Sequence, residues 1–553
     1  MLTLGAFLIY SHSDFVNFFT SSYPSSYRVD EYGINTFDPE HYQVVRSGSV
    51  FYIAGILSIM TMLVWKRRDV LKWIDDLSNG LDGLRNLCVE MFRCLSGRRL
   101  TVVVLCFGLI ASIRLYGYNT IPFHVDEVFN FVYFTDQGPW LSTISGNTHV
   151  LTNFLSGLWR KLPLSPEISF RLTSILASLL ISVFTFAVVN RHGGFRAAVL
   201  VTLLNGLSFW ITVYSVSGVS YMLMSLWTII AVYALFLIHT KDTGGGQLFV
   251  VAWILGFLTN RLFIIPFLSL GMILMAVAYY SDDFMKIVLR YLRLSAVIVI
   301  ATCLLYLPMY LWSGGDAVIY SNVERHDLVR MMPLLFESGS VITELVSKSY
   351  VLVAATLLFY LYRFQRGDIR HKFIAAIFGS TLISIMIFSL VTQIYAPSRT
   401  FVYANMIFYG LSGIVAFEFL DRSIKSGAIL IASLGVILAL KAAMGLFFVT
   451  HGWQSMRLGI QDSAGYDSLS TLPEKLIEYK PDVIYTDLGD AHLNFYVCFA
   501  AINTNEAVKF SVNRDDLPKA SAVILHLTDS SRLEGYHKIQ SSDFGTVYVR
   551  TNQ

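Results

Sequence analysis

What most constrains this chain is the recurrence of long stretches almost without charge, separated by loops of which every second one is basic. An apolar run of about 18 residues or more is long enough to cross a bilayer as a helix. Runs of about this length, some a little shorter and 247–259 clearly so, read as helices at 49–65, 100–118, 168–190, 196–214, 219–239, 247–259, 262–280, 294–312, 348–363, 373–395, 400–420 and 427–450. Only 14% of the 553 residues are charged, against about 25% in a soluble domain. Backbone groups in lipid have to be satisfied within the protein, so the expected fold is a polytopic α-helical bundle of about twelve spans.

The basic residues give this bundle a sidedness. Lys66, Arg67 and Arg68 end the first span, and Arg98 and Arg99 precede the second. Arg191 and Arg196, then Lys241, then Lys286, Arg290 and Arg293, fall in alternate loops further on. Arg363, Arg366, Arg370 and Lys372, and finally Arg422 and Lys425, continue the pattern. Cytoplasmic loops carry an excess of Lys and Arg. Loops 119–167 and 313–347 and the tail 451–553 are therefore expected outside the cytoplasm, in a multi-pass protein of the cell membrane. ATP and nucleotide sugars are scarce there. The net charge of +3 is small and its basic residues are dispersed, which argues against nucleic acid as a partner. The five cysteines form no CxxC pair, and MLTLGAFLIY has neither the basic start nor the cleavage site of a secretory signal.

Three regions follow. Residues 1–99 hold one span and a cytoplasmic linker, 66–99, in which Leu71, Ile74, Leu77, Leu81, Leu84, Leu87 and Met91 recur at helical spacing. That amphipathic helix is expected on the membrane surface, with a partner-binding helix as the alternative. Residues 100–450 form the main transmembrane unit. Within it the run 247–259 is short for a span and is followed directly by Thr259, Asn260 and Arg261, as in a helix that stops early beside a polar cavity. Residues 451–553 alternate helical and strand-like segments, with DVIYT, AVKFSV, SAVILHL and GTVYVRT as strands. A small α/β domain with a mainly parallel sheet is expected. It has no glycine-rich phosphate loop.

The chemistry concentrates in the first extracytoplasmic loop. Asp126 and Glu127 are adjacent in HVDEVFNFVYF, close to the end of the span at 100–118. Hydrocarbon excludes charge, so two acids at the mouth of a spanning helix mark a functional site. Downstream come GNTHVLTNFLSGLWRKL and SFRLTSILAS, which leads into the next span. Short interfacial helices here would hold His124, Asp126, Glu127 and His149 near the membrane surface, with Arg171 at the top of the third span. The histidines read as interfacial hydrogen-bonding residues. Asp126, Glu127 and His149 could hold a divalent cation, though their spacing does not demand one and no cofactor is required.

The order of these features resembles the GT-C glycosyltransferases, in particular the protein O-mannosyltransferase and lipid A aminoarabinose transferase group. The likeness rests on the Asp-Glu pair in a large loop after a span entered from the cytoplasm, the His-containing amphipathic stretch and the R-L-x-S helix start. GFLTNRLFIIPFLSL is similar to the family's helix break, and YAPSRTFVYANMIFYG to its late helix led by Pro and Arg. The likeness covers roughly residues 100–450. In GVSYML, around Tyr221, the family often reads Arg-Gly-Tyr, and here the Arg is absent.

The resemblance implies a polyprenyl-phosphate sugar donor and transfer to a lipid, glycan or protein hydroxyl on the extracytoplasmic face. It implies Asp126 as the general base, a role that fits a hydroxyl losing its proton as the new bond forms. Adjacent helical side chains diverge by about 100°, so Glu127 is assigned a different task, positioning the acceptor. Arg171, Arg261 and Arg399 fall at extracytoplasmic helix ends, where few basic residues are expected, and a planar guanidinium suits a phosphate leaving group. With His124, His149 and Tyr221 they make the expected substrate-binding set. A ligase moving a whole lipid-linked glycan, a sugar or lipid flippase, and a non-catalytic assembly factor are the alternatives. The charges cluster at one face rather than near the midplane, where transporter sites lie, which weighs against a flippase.

Overall fold

In a computed structural model of the chain, the described residues are 11–14, 39–93, 95–120, 125–136, 142–143, 149–239, 244–279 and 284–318, with scattered positions between 380 and 407, residues 476, 477, 479 and 520, and the strands of the tail. The expected spans at 348–363 and 427–450 lie outside them, and those at 373–395 and 400–420 are described only in part.

The helices are α1 (Pro39–Trp65), α2 (Arg67–Arg93), α3 (Arg98–Thr120), α4 (Val125–Asn130), α5 (Val150–Trp159), α6 (Pro166–Gly193), α7 (Phe195–Gly206), α8 (Phe209–Val216), α9 (Tyr221–His239), α10 (Gly245–Thr259), α11 (Ile264–Tyr279) and α12 (Phe284–Val318). Among the described residues, α1, α3, α6, α9 and α12 are long and apolar enough to cross a membrane. The single span expected at 196–214 is instead two helices. α7 ends at Gly206, a poor helix former, and Ser208 turns extended (φ −64°, ψ 134°) before α8 begins.

Local chemistry sets the ends that matter for the site. α6 opens with Ser165, whose hydroxyl accepts the Ile168 amide, and has Pro166 in its first turn. It closes on Gly194 at φ +83°. Cap, proline and glycine each satisfy a demand of a helix end. α10 stops at Thr259, as its length led one to expect. Asn260 is extended there, and its side-chain oxygen caps the following 3-10 turn, Arg261–Phe263, by accepting the Leu262 amide at 2.9 Å.

The largest buried cluster lies between α6, α9, α10 and α11. Trp253 is wholly buried, with Phe263 and Phe267 ring centroids each 4.6 Å from its own in edge-on contact. Lipid is as apolar as these side chains, so the gain at such contacts is close packing rather than escape from water.

The linker forms one helix, α2, as its periodicity requires, and its apolar residues divide between two faces. Gly80, Leu84, Leu87 and Met91 are buried against the bundle, while Leu71, Ile74 and Leu81 are exposed. The contact with α10 is close: Gly80 meets the Gly244 carbonyl, Gly244 itself has φ +86°, and Gln247 donates to Asp76 at 3.1 Å. A larger residue at position 80 would separate the helices.

The tail contains a five-stranded sheet in the order β2-β1-β3-β5-β4, from β1 (Val483–Thr486), β2 (Lys509–Ser511), β3 (Ala522–Leu525), β4 (Tyr536–Ser542) and β5 (Gly545–Arg550). β1 pairs in parallel with β2 and β3, but β5 runs antiparallel to both β3 and β4. The sheet is thus mixed rather than mainly parallel. The added strand, YHKIQSS, lies at the edge, where polar side chains are favoured and apolar alternation is not required. Tyr536 donates to the Ala520 carbonyl at 2.5 Å, and burial raises the pKa of its hydroxyl against an opposing effect of Arg550.

Candidate functional site

Glu127 and Arg171 come from segments 44 residues apart and meet in a two-point ion pair. Nε of Arg171 donates to Oε1 at 2.9 Å and Nη2 to Oε2 at 2.8 Å. The two side chains are 1% and 2% exposed. Arg171 also approaches the end of α3, with Nη1 3.4 Å from the Tyr118 carbonyl and its guanidinium 5.8 Å from that ring. A third donor reaches Glu127 from elsewhere: the Gly218 amide gives Oε1 a hydrogen bond of 2.6 Å. A buried carboxylate is tolerable only with such a shell, and paired charge-assisted bonds to a guanidinium are the strongest available.

Gly218 belongs to the bend Ser217–Ser220 between α8 and α9, and three successive residues of this bend are tied down. Gly218 holds Glu127. The Val219 carbonyl accepts the Ser174 hydroxyl of α6 at 3.0 Å. The Ser220 hydroxyl lies 2.6 Å from Nδ1 of His149 and accepts Asn260 Nδ2 at 3.1 Å. One short bend therefore joins the acidic turn of the first loop, the head of α6 and the break after α10. Close packing requires glycine at 218, since a Cβ there would overlap the Phe170 ring.

The residues expected at the site fall into distinct places. Glu127, Arg171, His149 and Tyr221 are brought together around the bend. Tyr221 opens α9, buried, with its ring edge-on to His149 at 6.3 Å and to Tyr214 at 5.3 Å. Asp126 occupies the backbone position before Glu127 on α4. Arg261 opens the 3-10 turn beyond Asn260. His124 and Arg399 lie outside the described residues.

The guanidinium of Arg171 faces Glu127 rather than open space for a donor phosphate, and the Glu127 carboxylate is turned to Arg171 rather than to an acceptor. The reason is burial: the Glu127 carboxylate is enclosed where α4 meets Arg171 of α6, and a buried carboxylate needs a cation. Glu127 and His149 likewise turn to Arg171 and Ser220, and among the described residues no cluster of three or more His, Cys, Asp or Glu is formed that could hold a metal.

Sequence reasoning missed Gly218, Ser220, Ser174 and Arg114. Arg114 carried a usable signal, a cation inside the apolar run of α3. The others are small polar residues whose roles exist only once the helices pack.

No family model matches the sequence, and no curated protein does. Solved structures do share its fold. ArnT from Cupriavidus metallidurans in the apo state aligns with a TM-score of 0.55 at 13% identity, over 82% of this chain and 98% of that one. The same protein bound to undecaprenyl phosphate aligns with a TM-score of 0.53 at 13% identity, over 81% and 97%. The apo Archaeoglobus fulgidus oligosaccharyltransferase gives 0.46 at 10% identity, over 74% and 64%. The chain thus shares its fold with ArnT.

Proposed function

We propose that this chain, built on the GT-C fold, is a membrane glycosyltransferase that moves a sugar from a polyprenyl-phosphate donor to a hydroxyl of a lipid, glycan or protein acceptor. The observation that carries this reading is the fold shared with nearly the whole of ArnT, 98% of its length. A structure of ArnT holding undecaprenyl phosphate supports a lipid-linked phosphate as donor. The multi-pass cell-membrane location, with the first loop and the tail outside the cytoplasm, is supported by the alternation of basic loops.

In the reaction proposed, the acceptor oxygen attacks the anomeric carbon of the donor sugar. Asp126 takes the hydroxyl proton as the new carbon–oxygen bond forms, and the bond to phosphate breaks to release polyprenyl phosphate. Proton removal in step with attack is the ordinary contribution of a general base. Glu127 takes a positioning role in place of acceptor contact. Its buried pair with Arg171, and the Gly218 amide, hold α4 at a fixed angle and so fix the backbone that carries Asp126. Arg261 and Arg399 are the cations proposed for the leaving phosphate, and His124, His149 and Tyr221 line the substrate side. The tail is proposed as a separate extracytoplasmic domain. Membrane lipid is the surrounding partner.

The test is turnover of radiolabelled polyprenyl-phosphate sugars in membranes containing wild type or Asp126→Asn at matched expression. Transfer by wild type and its loss in Asp126→Asn is the expected result. Equal transfer by both would remove Asp126 as the base. No transfer from any monosaccharide donor, with acceptors of all three kinds supplied, would overturn the reaction.

A further inference from the structure

Arg114 lies on α3, one turn before Tyr118, and is 1% exposed. Its Nε donates to the Ser178 hydroxyl of α6 at 3.1 Å and its Nη1 to the Thr212 hydroxyl of α8 at 2.7 Å. Its Nη2 is buried with no hydrogen-bond partner, and among the described residues no carboxylate pairs with it. A guanidinium held only by two neutral hydroxyls in an apolar bundle is costly, and such residues mark functional positions.

Its place in the bundle shows what it faces. The same three elements that hold Arg114 hold the Glu127 pair above it. On α3, Tyr118 is four residues on, a rise of about 6 Å. On α6, Arg171 is seven residues before Ser178, about 10 Å along the axis. On α8 and its bend, Gly218 lies six residues beyond Thr212. The seam between α3, α6 and α8 thus carries two guanidiniums, Arg114 and Arg171, and one described carboxylate, Glu127. Arg171 and Glu127 satisfy each other, which leaves Arg114 with no carboxylate partner among the described residues.

We infer that Arg114 is a positioning residue for an anionic lipid phosphate: its buried charge acts through the seam, by its field and not by contact, to favour phosphate at the mouth above. The inference rests on the lipid-phosphate donor of the proposed function. A unit charge about 10 Å from a phosphate, at an effective dielectric of about 20, changes its binding by about tenfold.

The experiment measures binding of undecaprenyl phosphate and of undecaprenol to the purified full chain in phosphatidylcholine nanodiscs. Wild type should prefer the phosphate. Arg114→Met and Arg114→Gln should lose about tenfold of that preference with undecaprenol binding unchanged. Arg114→Lys should keep it, and so should Ser178→Ala with Thr212→Val, which removes the hydroxyls and leaves the charge. If the neutral variants lower thermal stability but keep the full preference, Arg114 is only a helix-packing residue and the inference fails. It fails too if the double hydroxyl variant loses the preference as the neutral variants do. A wild type with no preference for phosphate over alcohol overturns the donor reading itself, a result distinct from a change confined to the variants.

Discussion

Arg171 grips Glu127 through two nitrogens, at 2.9 and 2.8 Å, where neither side chain is more than 2% exposed. Each charge is buried on the strength of the other, so the pair behaves as a unit. Arg171→Met should cost about 3–5 kcal/mol, because it strands a buried carboxylate, and Glu127→Gln should cost a similar amount by stranding the cation. The double variant should be less damaged than the sum of the two. Thermal unfolding of the detergent-solubilised protein checks this, and strict additivity would show that the contact is not energetically coupled.

Arg171→Lys should not rescue. A lysine brings one point charge to a carboxylate that is held from two directions, and it lacks the planar fork. Turnover in this variant should fall at least as far as stability does, measured against wild type at matched folded amounts.

Gly218→Ala should destabilise the bend by about 1–3 kcal/mol, since the new methyl overlaps the Phe170 ring. Phe170→Leu in the same chain should restore part of the loss. Unfolding temperatures of the three proteins decide this, and a Gly218→Ala chain as stable as wild type would contradict the packing described.

Asn260→Ala removes both the cap on the Leu262 amide and the donor to Ser220. A loss of about 1 kcal/mol is expected from the cap alone. Ser220→Ala should retain that cap and lose the bond from Asn260 together with the His149 contact, which separates the two effects in the same unfolding measurement.

The sidedness can be read by labelling. Lys161→Cys, in the exposed turn after α5, should react with a membrane-impermeant maleimide in intact cells. Asp69→Cys, exposed at the start of α2, should react only after the cells are opened. The reverse pattern would invert the topology and place Asp126 in the cytoplasm.

Much of this organisation was legible in the residues. Hydropathy marked α1, α3, α6, α9 and α12, because a bilayer enforces length and apolarity on each helix separately, without reference to its neighbours. The stop after Thr259 was legible for the same local reason: an apolar run too short to span, followed by Asn and Arg. The division of 196–214 into α7 and α8 was not, since apolar residues fill both helices and the break depends on Gly206 and the geometry at Ser208. Strand β4 escaped because an edge strand carries no apolar alternation.

For the site, the sequence alone singled out Glu127 and Arg171 as candidates, since charge near hydrocarbon is costly enough to be conspicuous wherever it occurs. It could not determine that they are partners. That was decided by the packing of α3, α4, α6 and the bend 217–220, which together exclude water from the carboxylate and leave a guanidinium as its counter-charge. The same holds for Arg114. Its presence in α3 is a fact of sequence, but its unpartnered nitrogen exists because, among the described residues, Ser178 and Thr212 rather than an acid meet it in the folded seam. Transfer from water to lipid is a property of each segment, whereas pairing in the interior depends on which segments touch, and only the tertiary structure settles that.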